Sequence, residues 1–333
     1  MSRPILEVDG LTTRFATRRG DVHAVNGVSF TVGDGEIVGI VGESGCGKSV
    51  TIRSILGLVR SPGRVADGRV SFIGNEIQHL PQRHLRRLRG ASMGFIAQNP
   101  FGALNPILRI DRQFHNMIRA HAKTTRAKSR ARAKAMMDAV GISDPERVLG
   151  GYAHELSGGM AQRVVIAMAL TLDPRLVVAD EPTTALDVTI QRQILDLLRR
   201  VVRDDHRSML LVTHDLGVVA QYCDRVVVMY AGKVVESGLV ADVFQEPAHP
   251  YTLALLQAVP RPGHELRALG GRVPDLVDYP VGCPYADRCR FRFDRCTDEA
   301  PELLPEPRAS GADRTVSCHL SPEEVREDAT HRG

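Results

Sequence analysis

A chain of 333 residues with 43% apolar and 25% charged residues has the make-up of a soluble globular protein with room for about two domains. Its net charge of +4 is mild, and no basic stripe interleaved with aromatics argues for nucleic acid. The first residues carry no basic and apolar leader and no apolar run reaches the length of a membrane span, so the sequence predicts a cytosolic protein.

In chain order, residues 5–11 and 25–32 alternate apolar and polar side chains and predict antiparallel strands with one solvated face, with Phe15 between them. Residues 36–41 read as a buried strand and residues 50–58 as a helix. The loop between them, Gly42-Glu43-Ser44-Gly45-Cys46-Gly47-Lys48-Ser49, fits the phosphate-loop pattern G-x-x-x-x-G-K-[ST]. Its glycines let the backbone curl so that successive N–H groups face phosphate oxygens, and the helix adds its positive end. Lys48 is expected to reach the outer phosphates and the Ser49 hydroxyl to sit on magnesium. Cys46 is expected to contribute its backbone N–H, with a thiol that makes nucleotide binding sensitive to alkylation.

Residues 69–73 and 93–98 predict further strands, the second ending at Gln98. From 99 to about 160 the pattern turns helical, with residues 118–140 as one helix whose Lys and Arg run reads as a solvated face. Ser157, Gly158 and Gly159 stand before an apolar helix at 164–172, a second helix N-terminus suited to an anion. Strands return at 176–180 and 208–213, with a helix at 190–203 between them. Near-continuous apolar strands alternating with helices imply a parallel sheet covered on both faces.

Asp180 ends one of these strands and Glu181 follows. Two adjacent carboxylates there are costly to bury unless an ion or a proton uses them, which assigns Asp180 to magnesium and Glu181 to the attacking water. His214, after the next strand, is placed to hold the terminal phosphate or the water. Gln98 is placed to reach magnesium and water with its amide and to couple the site to the helical segment. Residues 225–230 and 232–236 predict a hairpin. Beyond residue 244 prolines mark a loop-rich tail, polar from 321 onward.

Cys283, Cys289, Cys296 and Cys318 crowd that tail with the spacing C-x5-C-x6-C-x21-C. In a cytosolic chain the group reads as a zinc site, an iron–sulfur cluster or buried free thiols, and the lack of paired C-x2-C knuckles counts against zinc.

Together these residues resemble the ATP-binding cassette family. They supply its phosphate loop, a glutamine loop at Gln98, the signature Leu156-Ser157-Gly158-Gly159, the magnesium strand with catalytic Glu181, the aspartate loop Thr184-Ala185-Leu186-Asp187 and a switch histidine at His214. The resemblance implies an α/β fold: a P-loop NTPase, RecA-like core with an antiparallel β subdomain and a helical subdomain, followed by a loop-rich C-terminal extension with a four-cysteine site. The expected boundaries are 1–245 for the cassette, with the helical part at about 99–160, 246–320 for the extension and 321–333 for a tail.

It further implies that Ser44, Gly45, Cys46, Gly47, Lys48, Ser49 and Val50 line the nucleotide phosphates, that Phe15 stacks on adenine, and that Ser49, Gln98 and Asp180 hold magnesium. Ser157, Gly158 and Gly159 would close over the terminal phosphate bound by another cassette in a head-to-tail dimer. Val50 and Met160 depart from the family's usual threonine and glutamine.

The stretch His249-Pro250-Tyr251-Thr252 and the cysteine segment are similar to the extension of oligopeptide and dipeptide importer ATPases, and imply a [4Fe–4S] cluster. The implied protein is the ATPase motor of a binding-protein-dependent importer at the cytoplasmic face of the membrane. It would work with two permeases, a second cassette and, indirectly, an extracytoplasmic binding protein. A nickel or other small-solute importer, or a cassette ATPase acting on DNA or the ribosome, are the competing expectations.

Overall fold

The computed structural model describes residues 3–184, 186–259, 270–306 and 314–325. In chain order its elements are β1 (Leu6–Thr17), β2 (Gly20–Val32), β3 (Ile37–Val41), α1 (Lys48–Ile55), β4 (Gly63–Phe72), β5 (Asn75–Glu76), α2 (Gln82–Ala91), β6 (Met93–Ile96), α3 (Pro100–Ala103), α4 (Ile110–His121), α5 (Arg126–Ala139) and α6 (Pro145–Gly150). They continue with α7 (Gly158–Leu170), β7 (Leu176–Asp180), α8 (Val188–Asp204), β8 (Ser208–Val212), α9 (Leu216–Tyr222), β9 (Arg225–Tyr230), β10 (Lys233–Leu239), α10 (Val240–Gln245), α11 (Pro250–Gln257), α12 (Asp294–Asp298), β11 (Leu304–Pro305) and β12 (Thr315–Val316). None of the described helices is long and apolar enough to cross a membrane.

The chain divides into two compact units, the first built mainly from residues 79–211 and the second from 6–32, 36–78 and 212–333. In the first unit β6, β7 and β8 are neighbours in a sheet, and β6 pairs with β7 in parallel. All five residues of β7 and of β8 are buried, as expected for strands covered on both faces. α7 is apolar nearly all round and buries eight side chains, whereas α8 buries one stripe, Ile194, Leu195, Leu197, Leu198 and Val202.

One sequence expectation fails here. The predicted single helix at 118–140 is two, because α4 starts earlier and ends at His121 while Thr125 starts α5 afresh by accepting a hydrogen bond from the Lys128 N–H at 3.3 Å. The basic run is nevertheless on a mostly exposed helix, with only Ser129, Ala133 and Met137 of α5 buried.

In the second unit β2, β1, β4 and β5 form an antiparallel sheet in that order. β1 runs past its predicted end and carries Phe15 within it. A second set of strands lies in the order β11, β12, β10, β9, β3, with β9 parallel to β3 and antiparallel to β10. The extension does not stand apart from these strands: Tyr251, Leu256 and Tyr285 belong to the same buried cluster as Val41 of β3 and Val226, Val228 and Tyr230 of β9. Burying aromatic side chains of this size dominates the energetics of such a core.

Candidate functional site: a phosphate loop, an acidic strand end and a thiol pocket

β3 delivers the phosphate loop. Gly42 takes φ 150° and Gly47, the residue that starts α1, takes φ 103°. Both positions exclude a side chain for spatial reasons as well, since a Cβ would collide with the carbonyl oxygen of Met229 at Gly42 and of Ala24 at Gly47. The loop therefore curls where the motif requires it. Lys48 is buried, and its Nζ donates to the carbonyls of Gly42 at 2.7 Å and Glu43 at 3.0 Å, so the cation is held over the loop by the loop's own backbone. Ser44 and Gly45 are exposed at the lip, and Ser49 and Val50 are half-buried.

Cys46 departs from expectation. It is buried against Gly42, and burial pushes its thiol pKa up, so it is neither accessible nor ionised enough for ready alkylation. Phe15 is half-buried with its ring against Gly63, where a Cβ would collide with it. His214 is exposed just beyond β8, beside Asp215, whose carboxylate caps α9 by accepting from the N–H groups of Gly217 and Val218.

In the first unit β7 ends on Asp180, buried, and the chain turns at Glu181 with φ 45°. A glutamate in the left-handed region is uncommon and costs about 1–3 kcal/mol, the kind of strain found where a side chain must be aimed. The turn is closed by the Thr184 N–H donating to the Glu181 carbonyl at 3.2 Å. The Glu181 carboxylate accepts from Gln98 Nε2 at 2.9 Å and from Thr184 Oγ1 at 2.9 Å. Gln98 and Glu181, 83 positions apart in sequence, thus meet directly.

The signature region forms a capped helix start. Ser157 is exposed and its Oγ accepts from the Met160 N–H at 3.3 Å, with Gly158 and Gly159 as the first residues of α7. At Gly159 a Cβ would stand 3.1 Å from Ile190 of α8, so small residues let the two helices approach. Asp187 caps α8 by accepting from the Ile190 N–H at 2.9 Å. Ala185 of the expected aspartate loop lies outside the described residues.

The four cysteines of the extension do converge. Cys283, Cys289, Cys296 and Cys318 line one small cavity of about 10 Å³ together with Tyr285 and Phe291. Burial raises the thiol pKa of Cys283, that of Cys289 to about 11 and that of Cys318 to about 12. The expectation of a four-cysteine site at ligand spacing is not met: among the described residues no group of three or more His, Cys, Asp or Glu could hold a metal ion. The physical reason is that the thiols are packed as small apolar groups beside Tyr285 and Phe291 rather than drawn together as ligands.

Sequence reasoning missed two arrangements. Arg314 is buried between Glu236 at 2.8 Å and Glu306 at 2.7 Å, an ion triad that joins β10 to the segment preceding β12. Arg288 makes a bidentate pair with Glu43 of the phosphate loop, at 2.6 and 2.9 Å. Neither is carried by a motif or a periodicity, because the partners lie 78 and 245 positions apart.

Comparison with known proteins fits this geometry. Residues 25–184 match the family described as ABC transporter, and residues 235–296 match the oligopeptide/dipeptide transporter C-terminal region. The chain is 46% identical over 320 residues to the dipeptide transport ATP-binding protein DppD of Bacillus subtilis, covering 95% of this chain and 94% of that protein. It is 45% identical over 300 residues to the oligopeptide transport ATP-binding protein OppD of Salmonella typhimurium, covering 89% of each. Among solved structures, the dimer of the ATP-binding cassette MJ0796 in a post-hydrolysis state with ADP and phosphate aligns at a TM-score of 0.64 and 26% identity, over 71% of this chain and 98% of that one. The strand, glycine-rich loop and helix around Lys48, the strained acidic turn at Glu181 and the extension that follows the cassette are thus parts of a chain that belongs to the ABC transporter family, among its oligopeptide/dipeptide transport ATP-binding proteins.

Proposed function

We propose that the chain is the ATP-hydrolysing motor of a peptide importer, and that its phosphate loop and acidic turn carry the reaction. The observation that carries this reading is the presence in one chain of a preformed loop, with Lys48 held on its own carbonyls, and of a strained Glu181 whose carboxylate is oriented by two hydrogen bonds. The loop N–H groups and Lys48 bind and neutralise the phosphates, Lys48 exchanging its backbone carbonyls for phosphate oxygens. Ser49, Asp180 and the Gln98 amide oxygen offer hard oxygen donors of the kind Mg²⁺ prefers, and the ion supplies charge neutralisation when bound. Glu181 orients and polarises the attacking water, Gln98 holds Glu181, and His214 steadies the terminal phosphate. Phe15 offers the adenine a face.

Ser157, Gly158 and Gly159 act on the nucleotide of a second cassette. The dimeric state of the solved cassette MJ0796 supports that arrangement. The partners are two membrane permeases, met at the cytoplasmic face, with peptides as cargo; the extension match and the names of the relatives support this. Replacing Lys48 tests the nucleotide half: Lys48→Ala is expected to weaken ATP binding by about 1.5–3 kcal/mol, the scale of a hydrogen bond to a charged group. Unchanged affinity by equilibrium titration contradicts it.

The four thiols support a second reading of the extension as the seat of a [4Fe–4S] cluster. Four cysteines around one apolar cavity are the donor set such a cluster takes, and they would hold it as ionised thiolates. Anaerobically purified protein is expected to contain iron and acid-labile sulfide with visible charge-transfer absorbance. Zinc alone, or no metal, contradicts it.

A further inference from the structure

The phosphate loop is held from outside by the extension. Arg288 has its side chain 4% exposed and every nitrogen engaged: Nε donates to the Gly270 carbonyl at 2.7 Å, one terminal nitrogen to Glu43 Oε2 at 2.6 Å and Tyr230 Oη at 3.2 Å, the other to Glu43 Oε1 at 2.9 Å. Its guanidinium carbon lies 5.5 Å from the ring centre of Tyr230 and 5.8 Å from that of Tyr285. Those rings pack with Tyr251 in a mutual cluster at centre distances of 4.7, 5.2 and 5.3 Å. Tyr251 Oη in turn accepts the Glu43 backbone N–H at 2.9 Å.

Glu43 is therefore gripped at three places: its carboxylate by Arg288, its N–H by Tyr251, and its carbonyl by Lys48. Lys48 is the grip that a bound phosphate takes away. The other two come from the extension and have no reason to move when nucleotide binds. A bidentate arginine–carboxylate pair fixes direction as well as distance, and a lysine cannot reproduce it. Its partial burial and the aromatic faces beside it make the pair stronger than an exposed one.

We propose that Arg288 and Tyr251 are positioning residues for ATP binding: they hold Glu43 so that the phosphate loop keeps its curl when Lys48 turns to the phosphates. The extension thereby lends part of the cassette's affinity for ATP. The proposal rests on the phosphate-loop reading above.

The test is equilibrium binding of MgATP to the full chain, with ATPase kinetics alongside. Arg288→Lys and Glu43→Gln are each expected to weaken ATP about tenfold, the size of one net hydrogen bond to a charged group, and the double variant is expected to be no weaker than either single. Arg288→Lys is expected to raise KM while kcat at saturating ATP stays within about twofold, since no transition-state contact is lost. Tyr251→Phe, which removes one hydroxyl and no ring, is expected to weaken binding severalfold, and it serves if Arg288→Lys does not fold. A merely structural arginine would lower thermal stability and leave the affinity of the folded variant alone. Wild-type affinity in folded Arg288→Lys or Tyr251→Phe, or fully additive losses in the double variant, overturns the proposal, provided Lys48→Ala does weaken binding. Wild-type affinity in Lys48→Ala as well overturns the phosphate-loop reading beneath it.

Discussion

Arg314 sits in the second unit with its side chain 3% exposed, between two carboxylates of similar burial, and also donates to the Glu246 carbonyl. The Glu236 carboxylate accepts from the N–H groups of Ala248 and His249 at 2.9 and 3.0 Å, yet burial still pushes its pKa up. Removing the cation therefore strands buried negative charge. Arg314→Met is expected to cost about 3–5 kcal/mol of unfolding free energy in denaturant titration, the usual penalty for breaking a buried pair from one side. A loss below about 1 kcal/mol would mean the carboxylates find other partners or protonate without cost. At this scale the sequence singles out residues whose chemistry is local. Lys48, Asp180 and Glu181 are marked by neighbours in the chain, whereas Arg314, Arg288 and Tyr251 gain their roles from partners that only the fold brings near. Cys46 shows the opposite error: a cysteine in a glycine-rich loop reads as exposed, but the curl of the loop turns its thiol inward.

The elements follow the same division. β3, β7 and β8 were legible as short, mostly apolar runs, and the hairpin of β9 and β10 as two apolar runs around Ala231-Gly232. The helical segment was legible in kind but not in its break, because an alanine-rich basic run carries no strong stop signal and the cap at Thr125 is one hydroxyl. The left-handed turn at Glu181 left no trace in the sequence, since a glutamate before proline argues for extended backbone. The four cysteines were legible as a group in the sequence, and they line one cavity without forming a metal-holding group among the described residues. How the thiols pack was not legible, because spacing along the chain does not report the distance between sulfur atoms.

For the whole molecule, one chain carries a phosphate loop, an acidic turn and a capped helix start of the signature type, together with an extension matched to peptide transporters. The extension shares its core with β3 and β9, so it is placed to serve the cassette as well as to lengthen it. The central claim is that this chain hydrolyses ATP with Glu181 as the residue acting on water. The most direct measurement compares steady-state ATP turnover and ATP binding in the wild type and Glu181→Gln. The account predicts that turnover falls about a hundredfold or more, the range of a lost general base, while ATP still binds and holds a dimer together. Turnover near that of the wild type would contradict it.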